Sequence, residues 1–218
     1  MSKITVSFWG TRGSLPAALT ADDVHEKIVH ALHAAAGQQL DTLDKARAFA
    51  ATLPFSSTRT FGGNSSCVEL KSGDAAWLLL DVGSGGRQAG LAALRELKGA
   101  PGDYHIVLSH PHWDHIMGFP FFTPAYIPGN RITIYGCHPD LEQAFRVQQA
   151  APSFPVELST MGASIEFVRL EPGRTYDIAG YRVTPKAQAH GGDSYGYRLE
   201  RDGRAIVYST DSEHKLDD

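Results

Sequence analysis

The sequence predicts a layered domain of mixed helices and strands, and three observations support this. Short runs rich in β-branched and aromatic residues recur along the 218 residues, bounded by Gly, Pro and Asp. Fewer segments have apolar residues at helical spacing, and they lie between these runs. No repeat period is present. Together these features predict a single α/β (or α+β) domain over residues 1–218 rather than a repeat array.

Nine segments have the composition and length of strands. Two of them contain continuous apolar runs, residues 78–80 and 106–108, which indicates central strands covered on both faces. The last two are separated by Arg201, Asp202 and Gly203, a pattern typical of an antiparallel hairpin. The predicted strands are 4–9, 66–70, 76–81, 104–109, 131–135, 164–169, 181–186, 195–200 and 204–209.

Four helices are predicted, and two of them fall close together near the N-terminus. Thr20 precedes a capping sequence, and the apolar residues that follow keep helical spacing until Gly37. A second helix is predicted over 40–53, ended by Pro54. The segment at about 16–59 is therefore predicted to be a helical insertion, a hairpin or lid, within the domain. The other two helices are predicted at 87–98 and 139–150.

Composition excludes several classes of protein. Hydrophobic residues make up 42% and charged residues 20%, which excludes intrinsic disorder, and the net charge of −4 argues against a general nucleic-acid binder. The two cysteines lie far apart without a C-x-x-C pair, so no disulfide framework or thiolate zinc site is expected. Residues 1–10 lack a basic region followed by a long apolar run, and the sequence given contains no 18-residue apolar run, so we expect a cytoplasmic protein without a membrane span.

The ten histidines include one dense cluster, His110-Pro-His112-Trp-Asp114-His115, directly after a predicted buried strand. Side chains two residues apart in extended chain point to the same side, so His110 and His112 can converge on one ion. Asp114 and His115, past a turn, can reach a second ion. Imidazoles with one carboxylate suit Zn²⁺, with Mn²⁺ or Fe as alternatives. A histidine-rich surface loop is the competing interpretation.

The motif H-x-H-x-D-H after a buried strand resembles the signature of the metallo-β-lactamase superfamily. Further segments resemble its tRNase Z-like and phosphodiesterase-like branch, so that the similarity extends over nearly the whole chain except the helical insertion. This resemblance implies a four-layer αβ/βα sandwich. The similar segments are 8–14, 61–67, 80–85, 117–130, 189–198 and 208–214.

The resemblance also implies two metal sites. His110, His112 and the later His190 would hold the first ion. Asp114 and His115 would hold the second, with Asp211 bridging the two. Asp81 would orient ligands from beneath the site by hydrogen bonding rather than bind metal.

One part of the family pattern is missing from the sequence. The superfamily's last metal-binding histidine normally lies on a later strand, whereas His214 is the only histidine after Asp211 and lies too close to it. We expect a C-terminally incomplete domain that lacks its closing strand and outer helices. An incomplete second site and completion of the site by another chain in a homodimer are the competing interpretations.

These features favour a metallo-hydrolase with two Zn²⁺ ions, a bridging hydroxide and a small or cyclic phosphodiester substrate. Asp114 would accept a hydrogen bond from the hydroxide, and His214 is a candidate proton donor to the leaving oxygen. A nucleic-acid substrate is disfavoured, because residues 16–59 carry four Lys or Arg against five Asp or Glu. The expected partner is a small anionic molecule.

Three functions besides phosphodiester hydrolysis are compatible with the sequence. They are a lactone or thioester hydrolase, a one-iron dioxygenase of the same fold, and a non-catalytic metal-binding module if the chain truly ends at residue 218. Hydrogen-bond donors for an anionic substrate are expected in two glycine-rich loops, at Arg12, Asn64 and Ser65. The aromatic loop 116–126 is expected to form core or pocket wall beside the metals.

Overall fold

The structure is a computed structural model that describes residues 3–73 and 76–213. It contains two compact units. The larger comprises Met1–Pro16 with Asn64–Asp218, and the smaller is Ala17–Gly63. The larger unit contains all ten strands that the structure describes and all of the predicted metal ligands that lie in the described ranges.

The first sheet of the larger unit has six strands in the order in which they occur along the chain. The first two pairings are antiparallel and the remaining three are parallel. The central strands are continuous apolar runs because both of their faces are covered. The strands are β1 (Thr5–Gly10), β2 (Cys67–Lys71), β3 (Ala76–Leu80), β4 (Asp103–Val107), β5 (Arg131–Gly136) and β6 (Ser164–Arg169).

The second sheet is antiparallel and has four strands in the order β10, β9, β8, β7. One face of this sheet packs against the first sheet and the other is exposed. Buried and exposed residues therefore alternate along its strands, as in β8. The strands are β7 (Tyr176–Ile178), β8 (Tyr181–Gln188), β9 (Ser194–Arg201) and β10 (Arg204–Tyr208).

Three α-helices lie in the larger unit, α4 (Gly86–Leu97), α5 (Trp113–Ile116) and α6 (Leu141–Gln148). They pack with two single-turn 3₁₀ segments, Phe119–Phe121 and Thr123–Tyr126, on one face of the first sheet. Within residues 3–73 and 76–213, no helix follows β6. The described layers of the larger unit are therefore helices, six-stranded sheet and four-stranded sheet.

Two hydrophobic cores hold these layers together. The first lies between the helices and the six-stranded sheet and includes Ile106, Phe119 and Phe145, each fully buried. The second lies between the two sheets, where Val107 and Tyr197 are buried. Burial of each such side chain contributes about 1.5–3 kcal/mol to the stability of the folded state. The two cores therefore hold the layers together and keep in place the sheet edge that carries the site.

The smaller unit is helical, as predicted for residues 16–59. It contains α1 (Ala21–Ala34), α2 (Leu43–Thr52) and the short α3 (Phe55–Thr58). Thr20 forms the expected capping box with Asp23. Neither α1 nor α2 has a buried residue, so these helices contribute little to a core of their own.

The predicted mixed α/β fold class is confirmed, and the structure adds elements that the sequence patterns did not indicate. All nine predicted strands are present with ends shifted by a few residues, and β7 is additional. The turn expected before Asp114 is the single-turn helix α5. Among the described residues, no helix has the length and apolar character needed to cross a membrane.

Candidate metal centre

The predicted ligands meet at one edge of the two sheets. His110 follows β4, and Asp114 and His115 lie on α5, which comes next in the chain. His190 lies in the connection between β8 and β9, and Asp211 follows β10. Strand ends at one edge of a layered sheet bring residues that are distant in sequence together.

The first group of potential ligands comprises His110, His112, His190 and Asp211. One ligand atom from each lies within 4.8 Å of the others. Nδ1 of His112 is 2.9 Å from Nε2 of His110 and 3.3 Å from Nε2 of His190. Oδ2 of Asp211 lies 3.8 Å from His110 Nε2 and 3.7 Å from His190 Nε2. Three imidazoles and a carboxylate therefore face one point.

The second group comprises Asp114, His115 and the same Asp211, again with ligand atoms within 4.8 Å of one another. Nε2 of His115 lies 3.5 Å from Asp114 Oδ2 and 3.5 Å from Asp211 Oδ2. This nitrogen is buried, and it has no hydrogen-bond partner among the described residues. A lone pair on this nitrogen, facing two carboxylates at these distances, is a position that a cation satisfies.

Asp81 lies beneath both groups and is fully buried. Its Oδ1 accepts the backbone N–H of Ser109 at 2.7 Å, and its Oδ2 accepts the hydroxyls of Ser109 and Tyr208 at 2.9 and 2.6 Å. Oδ2 also lies 2.7 Å from Nδ1 of His115. This contact orients the His115 ring so that Nε2 points to the ligand group, the arrangement by which carboxylates hold metal-binding imidazoles.

The two histidines at the centre have opposite pKa shifts. Burial, with the neighbouring His115, lowers the pKa of His110 to about 4, so its imidazole is neutral and available as a ligand. Burial also opposes protonation of His115. The hydrogen bond and charge of Asp81, with Asp114 and Asp211, outweigh it and raise the His115 pKa. His115 is thus the site's natural place for positive charge, whether from a proton or a metal ion.

The glycine-rich loop after β1 holds Asp114. The backbone N–H of Ser14 donates to Asp114 Oδ2 at 2.8 Å, and Ser14 has a left-handed φ of 58°. Gly83 also lies against the segment that contains Asp114. A Cβ at position 83 would overlap the Asp114 carbonyl oxygen. Glycine is therefore required at position 83 for this close approach.

Two of the expected substrate-binding donors are used inside the protein. Ser65 is fully buried, and its hydroxyl donates to the Asp114 carbonyl at 2.6 Å. The side-chain amide of Asn64 donates to the carbonyl of Trp9, and its oxygen accepts from Ser84. Since these groups have partners inside the protein, the structure favours the alternative in which Asn64 and Ser65 hold the loops in place. Arg12 is exposed and pairs with Ser65 through its backbone only, in an isolated bridge.

Two residues outside the predicted set support the ligands. The ring nitrogen Nε2 of the buried His138 lies 2.7 Å from the Asp193 carbonyl oxygen, in the loop that carries His190. Tyr208 ends β10 and joins it to Asp81 and Ser66, three residues before Asp211. Burial and the nearby Asp81 charge raise the Tyr208 pKa, which keeps its hydroxyl a donor.

The remaining histidines belong to neither ligand group among the described residues. His25, His30 and His33 are exposed on α1, in the smaller unit. His105 contacts the Tyr135 hydroxyl at 3.0 Å within the first sheet. The proposed proton donor His214 lies outside the described residues and stays a prediction.

The donor set fits divalent metal ions. Neutral imidazoles and carboxylates are the ligands that Zn²⁺ takes in proteins, and Asp211 is common to both groups. The unpartnered His115 Nε2 is the observation that argues most directly for an ion, since buried polar atoms of proteins usually have a partner.

Comparisons with known proteins agree with this geometry. The chain matches the family described as the beta-lactamase superfamily domain over residues 76–217. An uncharacterised protein of Mycobacterium leprae is 29% identical over 149 residues, 66% of this chain and 50% of that protein. Ribonuclease Z of Exiguobacterium sibiricum is 31% identical over 101 residues, 44% of this chain and 31% of that enzyme. The chain thus spans half or less of the length of these relatives.

A solved structure supports the fold assignment. The metallo-β-lactamase fold protein YhfI from Bacillus subtilis superposes with a TM-score of 0.50 at 24% identity, over 72% of this chain and 58% of that one. The family match covers well over half of the chain and includes the H-x-H-x-D-H segment, His190 and Asp211. The chain therefore belongs to the metallo-β-lactamase superfamily.

Proposed function

We propose that this protein is a metal-dependent hydrolase that cleaves a small or cyclic phosphodiester. The observation that carries the proposal is the meeting of two ligand groups at Asp211, each with its donor atoms within 4.8 Å. Shared carboxylates of this kind are how proteins hold two cations close enough to act on one substrate.

His110, His112, His190 and Asp211 would hold one ion, and Asp114, His115 and Asp211 the other. Zn²⁺ suits these ligands best, with Mn²⁺ or Fe as alternatives. A bound pair of divalent ions would supply an acidified water as nucleophile and would neutralise charge developing on the phosphoryl oxygens.

The chain's own residues would orient this site. Asp81 fixes His115 through Nδ1, and the Ser14 N–H fixes Asp114 through Oδ2. Asp114, whose Oδ2 also lies 3.5 Å from His115 Nε2, would accept a hydrogen bond from the attacking water. Both contacts come from residues on other segments of the sheet edge, so the ligands are positioned before substrate arrives.

Two observations bear on the substrate, and the second favours a small phosphodiester over a long nucleic acid. The relatives named Ribonuclease Z and Ribonuclease BN support cleavage of phosphodiester bonds, although this chain matches only 30–31% of their length. Residues 16–59 carry more acidic than basic side chains, four Lys or Arg against five Asp or Glu. A tRNA-holding surface would require the opposite balance.

The reaction is tested with metal-loaded protein and a chromogenic diester, bis(4-nitrophenyl) phosphate, followed by cyclic nucleotides. We expect release of 4-nitrophenol that is abolished by chelator and restored by Zn²⁺ or Mn²⁺. Opening of lactones or thioesters without any cleavage of the diester would contradict the phosphodiester assignment while leaving hydrolysis intact.

Elemental analysis distinguishes a two-metal hydrolase from a one-iron dioxygenase and from a non-catalytic module. Protein purified without added metal and then dialysed against Zn²⁺ should hold two ions per chain. One iron per chain in the protein as purified would instead favour the dioxygenase, and one Zn²⁺ or none after dialysis would favour the non-catalytic module. Filter binding to tRNA at moderate salt tests the substrate size, because tight binding would reverse the preference for small diesters.

A further inference from the structure

A groove of about 700 Å³ lies beside the metal-binding motif, and we call it the aromatic groove. Its walls come from α5, the 3₁₀ segment after it, one face of α6 and the residues following α6. Side chains of Trp113, Phe121, Val147 and Phe154 line it. The volume is in the range that proteins use for small organic ligands, about 300–1,000 Å³.

The groove presents aromatic and apolar surface to solvent. Trp113, Phe121 and Val147 are 62%, 56% and 60% exposed. The ring of Phe121 packs edge-to-face on Phe154, with centroids 5.8 Å apart, so this wall is preformed. Exposed aromatic surface that is grouped in a concave site is typical of ligand binding rather than of scattered surface residues.

The groove and the metal ligands share one segment of chain. Pro111 and Trp113 line the groove, and they alternate with His110, His112 and Asp114. Trp113 therefore belongs both to the ligand-carrying segment and to the wall of the groove. Because Trp113 is exposed and adjoins two ligands in the chain, a substrate whose phosphoryl group lies at the ligands could extend an attached group over its ring.

The charge of the groove restricts what that attached group can be. The charged side chain in its lining is Asp140, and neither Lys nor Arg lines it among the described residues. A second phosphate or a carboxylate would be repelled there, whereas a neutral ring would bury apolar surface against Trp113 and Phe121.

We propose that the aromatic groove binds a neutral aromatic ring carried by the alcohol of the phosphodiester. The assignment of this ring to a phosphodiester substrate rests on the proposed function. Binding of a ring by the groove does not depend on it. The groove would thus select aryl or nucleoside esters over small aliphatic ones, because a ring buries more apolar surface against the exposed aromatic wall.

Binding is tested without any reaction, using adenosine as the ring and ribose as the matched probe without one. Trp113 is exposed, whereas Trp77 is buried and Trp9 is half-buried, so quenching of fluorescence excited at 295 nm reports mainly on the groove. We expect saturable quenching of the metal-loaded protein by adenosine and none by ribose. Absence of saturable quenching by adenosine would overturn the proposal.

A pair of matched variants locates the binding. Val147→Asp places a carboxylate in the groove and keeps Trp113 as reporter, and Val29→Asp makes the same change at an exposed position of α1. Val147→Asp should raise the dissociation constant of adenosine at least about fivefold, and Val29→Asp should leave it unchanged. Equal effects of the two variants, with urea unfolding unchanged in both, would overturn the proposal.

Kinetics connect the groove to the reaction. With bis(4-nitrophenyl) phosphate, Val147→Asp should raise KM about fivefold and leave kcat within about twofold, because Val147 belongs to neither ligand group. An unchanged KM would overturn the role in substrate selection. If the protein cleaves no phosphodiester at all, the proposed function fails, and the fluorescence experiment alone decides whether the groove binds rings.

Discussion

The two ligand groups share Asp211 but are held in different ways. His115 and Asp114 are 1% and 8% exposed, and contacts from Asp81 and Ser14 fix both side chains. In the other group, His112 is exposed and His190 is carried by a loop. That loop is held by the contact from His138 to the Asp193 carbonyl and by the backbone hydrogen bond from the Glu213 N–H to the Ala189 carbonyl. The first arrangement is part of the folded core, whereas the second joins the buried His110 to an exposed side chain and a loop.

This difference predicts which substitutions should change stability and metal affinity together and which should change metal affinity alone. Changes beneath the buried pair remove buried hydrogen bonds and should affect folding and metal affinity together. Changes at the loop should affect metal affinity and leave folding nearly unaltered, because loops open at low cost. Four substitutions test this comparison.

Asp211→Asn should have the largest effect, because Asp211 belongs to both groups. The amide keeps the shape of the side chain but removes the charge that two cations would share. We expect bound Zn²⁺ to fall from two ions per chain to one or fewer, and kcat/KM for bis(4-nitrophenyl) phosphate to fall at least about 100-fold. Metal content after dialysis and steady-state kinetics measure both.

The control for this change is Asp177→Asn, on an exposed position of β7. It alters the net charge by the same amount without touching either group. Retention of two ions per chain by Asp211→Asn would contradict the shared-ligand assignment.

Asp81→Asn should have the second largest effect. It changes the support of the buried pair, His115 and Asp114, without changing the loop that carries His190. The left-handed φ of 58° at Asp81 is one that asparagine tolerates, so the backbone is not a cause of any loss. Ser109, Tyr208 and His115 would lose a charged acceptor at a fully buried position. We expect the free energy of unfolding to fall by about 2–4 kcal/mol and metal affinity to fall about 10–100-fold.

Urea unfolding of the metal-free protein measures the first of these effects, and competition with a chelating dye measures the second. A loss of stability below about 0.5 kcal/mol would mean that the hydrogen bonds of Asp81 do not stabilise the folded state. A loss of stability with unchanged metal affinity would mean that it does not orient His115.

Much of the fold could be predicted from local patterns. The apolar runs at 78–80 and 106–108 and the hairpin turn at Asp202-Gly203 are short-range signals, and they correspond to β3, β4 and the β9–β10 connection. The strand β7 has three residues, too few to form a periodic pattern. The helix α5 lies inside the ligand motif, where histidines and aspartate hide its helical character.

The candidate site divides in the same way. His110, His112, Asp114 and His115 stand out because their spacing is local, whereas His190 and Asp211 could be named only through the family resemblance. No local pattern points to His138, Tyr208 or the Ser14 N–H. Tyr208 meets Asp81 across 127 positions of sequence, and Ser14 meets Asp114 across 100. The first pair exists only once the two sheets have packed, and the second only once β1 and β4 have joined the same sheet.

His138→Ala tests the loop side of the comparison. It removes the ring that lies 2.7 Å from the Asp193 carbonyl and packs edge-to-face on Tyr195. We expect Zn²⁺ affinity of the His110, His112 and His190 group to fall about tenfold. His138→Gln, which keeps an N–H donor of similar reach, should restore most of it.

Isothermal titration with Zn²⁺ measures this change, and the two variants should differ more in affinity than in urea midpoint. If His138→Ala and His138→Gln weaken binding equally, the ring has only a packing role and the loop is not tied by this hydrogen bond.

Tyr208→Phe should have the smallest effect, and it tests the hydrogen bonds that support Asp81 beneath the buried pair. The ring stays, and only the hydroxyl that donates to Asp81 at 2.6 Å and meets Ser66 at 2.6 Å is lost. Asp81 retains the Ser109 and His115 contacts, so we expect a loss of about 1 kcal/mol in the free energy of unfolding. Because β10 leads directly to Asp211, a small drift of that ligand should also lower Zn²⁺ affinity, by no more than about threefold. Combining Tyr208→Phe with Asp81→Asn in a double-mutant cycle measures the coupling, and additive losses would mean that the hydroxyl does not act through Asp81.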